Sequence, residues 1–165
     1  MATRFDFESV FEEKNWYVLY PDANTNHEKY LMLCKNELAR VSFPNIEYEI
    51  EEFKSGGLFT HVEKTQMLAV SFKKSQFNKL GIYFRAQPFG NTTYYSLLKT
   101  IDKGFWSGNI SQLERLNNIR DKCKNQAQKD EFQALGYLGD LIFLKAMRAL
   151  DPSYTENKYL FEPRF

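Results

Sequence analysis

From residue 46 the chain alternates: Ile46, Tyr48 and Ile50 are apolar, and Glu47, Glu49 and Glu51 between and after them are acidic. A period of two sends neighbouring side chains to opposite faces, so this segment reads as a strand with one wet face. The preceding segment has a different period. Tyr30, Leu33, Cys34, Leu38 and Val41 recur at helical spacing,. Thr25-Asn26-His27-Glu28 stands ahead of them as a capping box, in which a Thr oxygen and a Glu carboxylate each satisfy an orphan backbone donor,. Pro44 marks the end of that helix. Earlier still, Asp6 can cap a short helix to about Lys14, with Phe7, Val10 and Phe11 on one side,. The apolar run inside "NWYVLYPDANTNHE" reads as a short extended segment closed by Pro21-Asp22.

Beyond the acidic strand, Ser55-Gly56-Gly57 predicts a turn, and strand-like runs follow at 58–63, 66–73, 80–86 and 92–99,. The economical arrangement is an antiparallel meander of about five strands. Leu68, Val70 and Phe72 point inward on one run. Leu80, Ile82, Phe84 and Ala86 share a face on the next, opposite Gly81, Tyr83 and Arg85,. The last run has aromatics at both parities, Tyr94 and Tyr95, which leaves its orientation open.

Helical spacing returns with Ile110, Leu113, Leu116, Ile119 and Cys123, after a capped start at Asn109-Ile110-Ser111-Gln112,. The longest helix is expected over about Gln126 to Leu150. Its middle, "ALGYLGDLIFLKAM", is apolar on most sides and so belongs against the sheet, where Gly136 and Gly139 would admit another backbone closely,. Asp151-Pro152 stops it. The order is N-terminal helices, a central meander, then C-terminal helices packed on the sheet: one α+β domain over 1–165.

Composition narrows the class. A chain of 165 residues with 43% hydrophobic and 26% charged residues is a globular one, long enough for a single core,. No apolar run reaches the ~20 residues that span a bilayer, and the acidic start lacks a signal peptide's apolar region. Cys34 and Cys123 match no metal or redox spacing, and both fall on apolar stripes. Together these features predict a soluble protein of a reducing cytoplasm, without a membrane partner.

Charge changes the picture more. The net charge is only +1, but residues 1–63 carry twelve acids against six bases, and residues 64–100 carry six bases and no acid. Paired as a hairpin, the runs 66–73 and 80–86 would gather Lys73, Lys74, Lys79, Tyr83 and Arg85 on one surface, with Lys99 extending it. Lys and Arg neutralise phosphates and an exposed Tyr can stack on a base, so these six are the candidate nucleic-acid contacts. A solvated face with no ligand accounts for the same residues. Protein contact is the other candidate chemistry, through Phe105 and Trp106 in "KGFWSGN" and Tyr159, Phe161, Arg164 and Phe165 in the tail, residue types that dominate interface hot spots. Packing into the core is the competing role for each.

Enzymatic patterns are sparse. His27 and His61 are the only histidines, no cysteine pair has zinc spacing, and no glycine loop precedes a helix,. Glu52-Phe53-Lys54 has the E-x-K form of metal-dependent nucleases, in which a carboxylate holds Mg²⁺ and the Lys stabilises charge at the phosphate. Such sites also need an acid on the neighbouring strand, and Asp22 is wrongly connected for that. Glu47, Glu49 and Glu51 in a row read as a solvated face that also resists edge-to-edge aggregation. No catalytic residue, metal ligand or cofactor is assigned.

The stretches "FESVFEEKNWYVLYPDANTNHEKYLMLCKNELARV" and "GGLFTHVEKTQMLAVSFKKSQ", with the chain length, resemble the Alc-type transcription-termination proteins of T-even bacteriophages. The resemblance covers most of the chain and carries no diagnostic motif, so no functional residue comes from it. It implies a non-enzymatic host-takeover factor in the host bacterial cytoplasm, acting on RNA polymerase as it elongates on double-stranded, cytosine-containing DNA and sparing phage DNA with modified cytosines. The alternative is a small inhibitor or immunity-type protein that blocks another macromolecule. An Mg²⁺-dependent nuclease is third.

Overall fold

The computed structural model describes residues 3–4, 16–21, 27–55, 63–102 and 111–154. The alternation from residue 46 becomes a strand, Glu47–Ser55 (β3), which pairs antiparallel with Glu63–Ser71 (β4). β4 pairs with Leu80–Phe89 (β5), and β5 with Thr92–Ile101 (β6), to complete a four-stranded antiparallel meander. The short extended run expected before Pro21 forms Trp16–Pro21 (β2), antiparallel to β6. Thr3–Arg4 (β1) lies parallel to β3, giving the order β1-β3-β4-β5-β6-β2.

The meander has one strand fewer than expected. Ser55 lies opposite Glu63, so β3 and β4 are direct partners and no strand intervenes between them. The run expected at 58–63 contributes only Glu63 to the described residues. The expected helix from Asp6 to Lys14 and the capping residues Thr25 and Asn26 lie outside the described residues.

Helix α1, His27–Val41, buries Tyr30, Leu31, Cys34 and Leu38. It ends where Ser42 turns to a left-handed φ of 48°, its N–H donating to the Leu38 carbonyl at 3.1 Å,. Helix α2, Gln112–Asp121, is capped by Ser111, whose hydroxyl accepts from the Glu114 N–H at 3.2 Å,. Helix α3, Gln126–Leu150, has the bounds its sequence predicts, with Asn125 capping its start. No described helix is long and apolar enough to cross a membrane.

α1 and α3 pack beside each other on one face of the sheet. The core between them takes Leu68, Val70 and Phe72 from the β4 side, Ile82, Phe84 and Ala86 from β5, and Tyr95 and Leu97 from β6. Tyr95 therefore faces the helices, where its ring meets Tyr30 at 4.9 Å between centroids. Tyr94 falls on the other face. That outer face is not wholly wet: Phe53, Met67 and Leu98 form a second buried cluster, with Ala69 and Tyr83 against it. β6 is thus buried on both sides, which is why its apolar residues occupy both parities,.

Candidate functional site

The β4–β5 connection is held at both ends by buried rings. Phe72 and Phe77 enter the core, and Phe77 packs on Phe132 of α3 at 5.5 Å. Between them the Ser75 N–H donates to the Phe72 carbonyl at 2.8 Å, and the Ser75 hydroxyl donates to Glu131 at 3.1 Å. This fixes a turn from which Lys73, Lys74 and Lys79 stand exposed. Lys73 and Lys74 both approach Glu47, at 3.4 and 3.7 Å. These are solvent-exposed pairs, of a kind worth about 0–1 kcal/mol, so a phosphate could displace the carboxylate at little cost.

The six basic-stretch candidates divide into three places. The lysines of the turn form one. Tyr83 and Arg85 form a second, on the outer sheet face. Tyr83 is half-buried and packs edge-on against Phe53 at 5.6 Å, so its ring belongs to the outer-face cluster rather than standing out in solvent. Burial pushes its phenol above the ordinary value, the Glu51 carboxylate adds to that, a Thr100 hydrogen bond opposes it, and Asp102 adds again,. Arg85 donates from Nε to the Ser96 hydroxyl at 3.3 Å and lies 5.9 Å from the Tyr94 ring centroid.

Lys99 lies apart from both. It registers opposite Ile82, on the helix-covered face, and its ammonium meets Asp140 at 2.8 Å and donates to the Gly136 carbonyl at 2.8 Å. It therefore does not extend a surface with Tyr83 and Arg85. The cause is strand parity: position 99 shares its side of β6 with Tyr95 and Leu97. Phe105, Trp106, Tyr159, Phe161, Arg164 and Phe165 lie outside the described residues.

Sequence reasoning missed a cleft of about 300 Å³ where α3 and α2 meet the Leu80 end of β5 and the Lys99 end of β6. Phe72, Leu80, Ile82, Leu116, Phe132 and Leu135 give it apolar walls, and Lys99 and Asp140 an ion pair at its side. The one sequence signal near it was Gly136 inside a long helix; the side of β6 that Lys99 occupies was not legible in the sequence. Gly139 has the packing role expected of such a glycine, although against side chains rather than backbone: an added Cβ would come within 3.1 Å of Leu97 and 3.3 Å of Ile82. At Gly136 an added Cβ would meet nothing within 4 Å.

The acid and the base of the E-x-K triplet both lie beside Lys64 of the neighbouring strand. Glu52 meets Lys64 of β4 at 3.1 Å, and Lys54 lies opposite Lys64 in register. Asp22 lies outside the described residues, among which no group of three or more His, Cys, Asp or Glu is placed to hold a metal. Cys34 is buried in α1, and burial pushes its thiol far above the ordinary value. Cys123 is also buried, but just beyond α2 rather than on it, with Sγ 3.8 Å from the Ile119 and Gln128 carbonyls. Neither is an exposed, electropositive thiol of the kind that attacks a substrate.

Compared with protein-family models, curated proteins and solved structures, the chain finds no match.

Proposed function

We propose that the protein is a non-enzymatic binding protein that stops host transcription by holding RNA polymerase and double-stranded DNA in the cytoplasm of a bacterial host. The resemblance to Alc-type proteins supplies the target. The observation that carries the nucleic-acid part is the β4–β5 turn: three exposed lysines on a connection pinned by Phe72 and Phe77, two of them in weak, solvated pairs with Glu47. Lysines so presented bind phosphate without reading sequence, and each contact steepens the fall of affinity with salt, by about 0.9 in the log–log slope. Arg85 serves as an accessory from the outer face. Lys99 has no part in this surface.

The test is affinity capture of tagged protein from bacterial lysate, with and without nuclease, for the wild type and for Lys73→Gln/Lys74→Gln/Lys79→Gln. Polymerase is expected to be retained after nuclease treatment, and the triple variant is expected to keep polymerase but lose salt-sensitive DNA binding. Retention of polymerase only while nucleic acid is intact would sink the direct-contact reading. A second reading, an inhibitor of some other macromolecule, draws on the exposed apolar side chains Leu113, Tyr137 and Leu141. It predicts a different dominant partner in the same capture and no effect of the lysine substitutions.

A further inference from the structure

The lysine turn between β4 and β5 has a neighbour remote from it in sequence. The Ser75 hydroxyl donates to Glu131 at 3.1 Å and the Phe77 ring packs on Phe132 at 5.5 Å, so the turn is seated against the beginning of α3. The chain that leads into α3 is basic in its own right: Lys122, Lys124 and Lys129 fall within eight residues that hold no acid. All three are exposed, as Lys79 is on the turn, and none of these four forms an ion pair among the described residues. Arg120 just before them is different, since Asp121 meets it at 3.4 Å.

Their placement works against the helix. A helix start is its positive end, where cations are unfavourable, yet the first turn of α3 has no acid, Lys129 closes it, and Lys124 precedes its Asn125 cap. The acids that follow are engaged: Asp130 accepts from the Gln126 amide at 2.8 Å, and Glu131 accepts from Ser75. The connection is also fixed. Cys123 is buried, its N–H donates to the Arg120 carbonyl at 3.0 Å, and the Lys124 N–H donates to Gln128 Oε1 at 2.6 Å. Lysines held without a partner, at a cost to the helix beside them, mark a place where local preference has yielded to a role outside the chain.

We propose that the α2–α3 connection is the second half of the DNA contact, with Lys122, Lys124 and Lys129 continuing the phosphate-binding surface of Lys73, Lys74 and Lys79. The choice of DNA rests on the function proposed above; the union of the two connections rests on the Ser75–Glu131 and Phe77–Phe132 contacts. A polymer of phosphates suits cations spread over two adjoining connections, whereas a single small anion would meet the lysines of one. The form of the DNA follows from what accompanies the charges. Neither connection presents an exposed aromatic side chain, Phe72 and Phe77 being buried, so the surface offers no platform for unpaired bases and fits the backbone of a duplex,. Lysine contacts to phosphate position a duplex without reading it, so this surface carries no base preference.

The test is a salt titration of binding to a duplex of mixed sequence by the purified wild type and by Lys122→Gln/Lys124→Gln/Lys129→Gln. A control removes the same charge elsewhere, as Lys29→Gln/Lys64→Gln/Arg148→Gln: Lys64 opens β4, Arg148 lies in the last turn of α3, and Lys29 adjoins Tyr30, whose ring meets Phe143. The connection variant is expected to bind at least about tenfold more weakly at low salt, and its log–log salt slope to be shallower by about 2–3, near 0.9 for each lysine. It is also expected to melt at or above the wild-type temperature, because the lysines strain the helix start. The control should keep the wild-type slope. An unchanged slope in the connection variant overturns the proposal, and leaves the turn as the whole contact if Lys73→Gln/Lys74→Gln/Lys79→Gln still loses DNA. An equal loss in the control reduces the effect to net charge and overturns it too. Unchanged DNA binding with lost polymerase capture would assign these lysines to an acidic protein surface instead. If the triple variant fails to fold, Lys124→Gln and Lys129→Gln are read singly for a slope change of about 0.9 each. Absence of salt-sensitive DNA binding by the wild type overturns both this surface and the reading on which it rests.

Discussion

Gly136 and Gly139 lie three residues apart in α3 and answer to different forces. At Gly139 the sheet is the constraint, because Leu97 and Ile82 already occupy the space a side chain would need. At Gly136 there is no such constraint. Gly136→Ala should therefore stabilise the protein by about 0.5–1 kcal/mol, the helix-propensity difference, whereas Gly139→Val should destabilise it by about 1–3 kcal/mol through overpacking. Urea unfolding of the two variants checks both signs; destabilisation by Gly136→Ala would show that glycine is needed there for the fold. The sequence made both glycines visible and could not separate them, because their difference lies in which side of the helix the sheet covers. Lys99 was illegible for a related reason. Its partner Asp140 is 41 residues away, and only the docking of α3 on β6 brings them together.

At the scale of elements, the sequence was most informative where one face is apolar and the other polar. α1 and α3 have strong periodicity, and α3 shows the predicted bounds. In β3 the glutamates do mark the exposed face, yet Phe53 shares their parity and is buried. Alternation there changes meaning within one strand, since a second apolar cluster covers one end of the outer face. β6 gave no orientation because neither of its sides is wet. α2 shows the converse: its stripe predicted a helix correctly, but Leu113 within the stripe is exposed rather than packed. A helical period reports that a face is apolar and does not report what covers it. The basic stretch failed as a single patch for a topological reason. Its charges sit on a turn, on the outer face and on the inner face of the same sheet, and nearness in sequence across two hairpins fixes none of these sides.

At the scale of the whole molecule, the buried ionisable groups around the core predict how stability responds to alkali. Burial raises Tyr30 and Cys34 well above their ordinary values, raises Tyr83, and pushes Tyr95 up to about 12. Each group stays neutral in the folded protein at a pH where the unfolded chain has already ionised it. Their contribution is complete below the unfolded values, 9.0 for the thiol and 10.0 for the phenols, and is lost as pH rises towards the folded ones,. The urea midpoint is therefore expected to fall steeply above about pH 9, with a shallower fall in Tyr95→Phe. A midpoint unchanged into strong alkali would contradict the burial of these groups.

The charge asymmetry of the sequence is also spatial at this scale. Exposed Glu49 and Glu51 lie on the outer face of β3, and the lysines lie on the β4–β5 turn, so these acidic and basic groups occupy different parts of the sheet. The most direct test of the central claim is to follow purified host polymerase elongating on a cytosine-containing template with the protein in excess, and on the same template with modified cytosines. Truncated transcripts are expected on the first and full-length transcripts on the second. Full-length transcripts on both would contradict the claim.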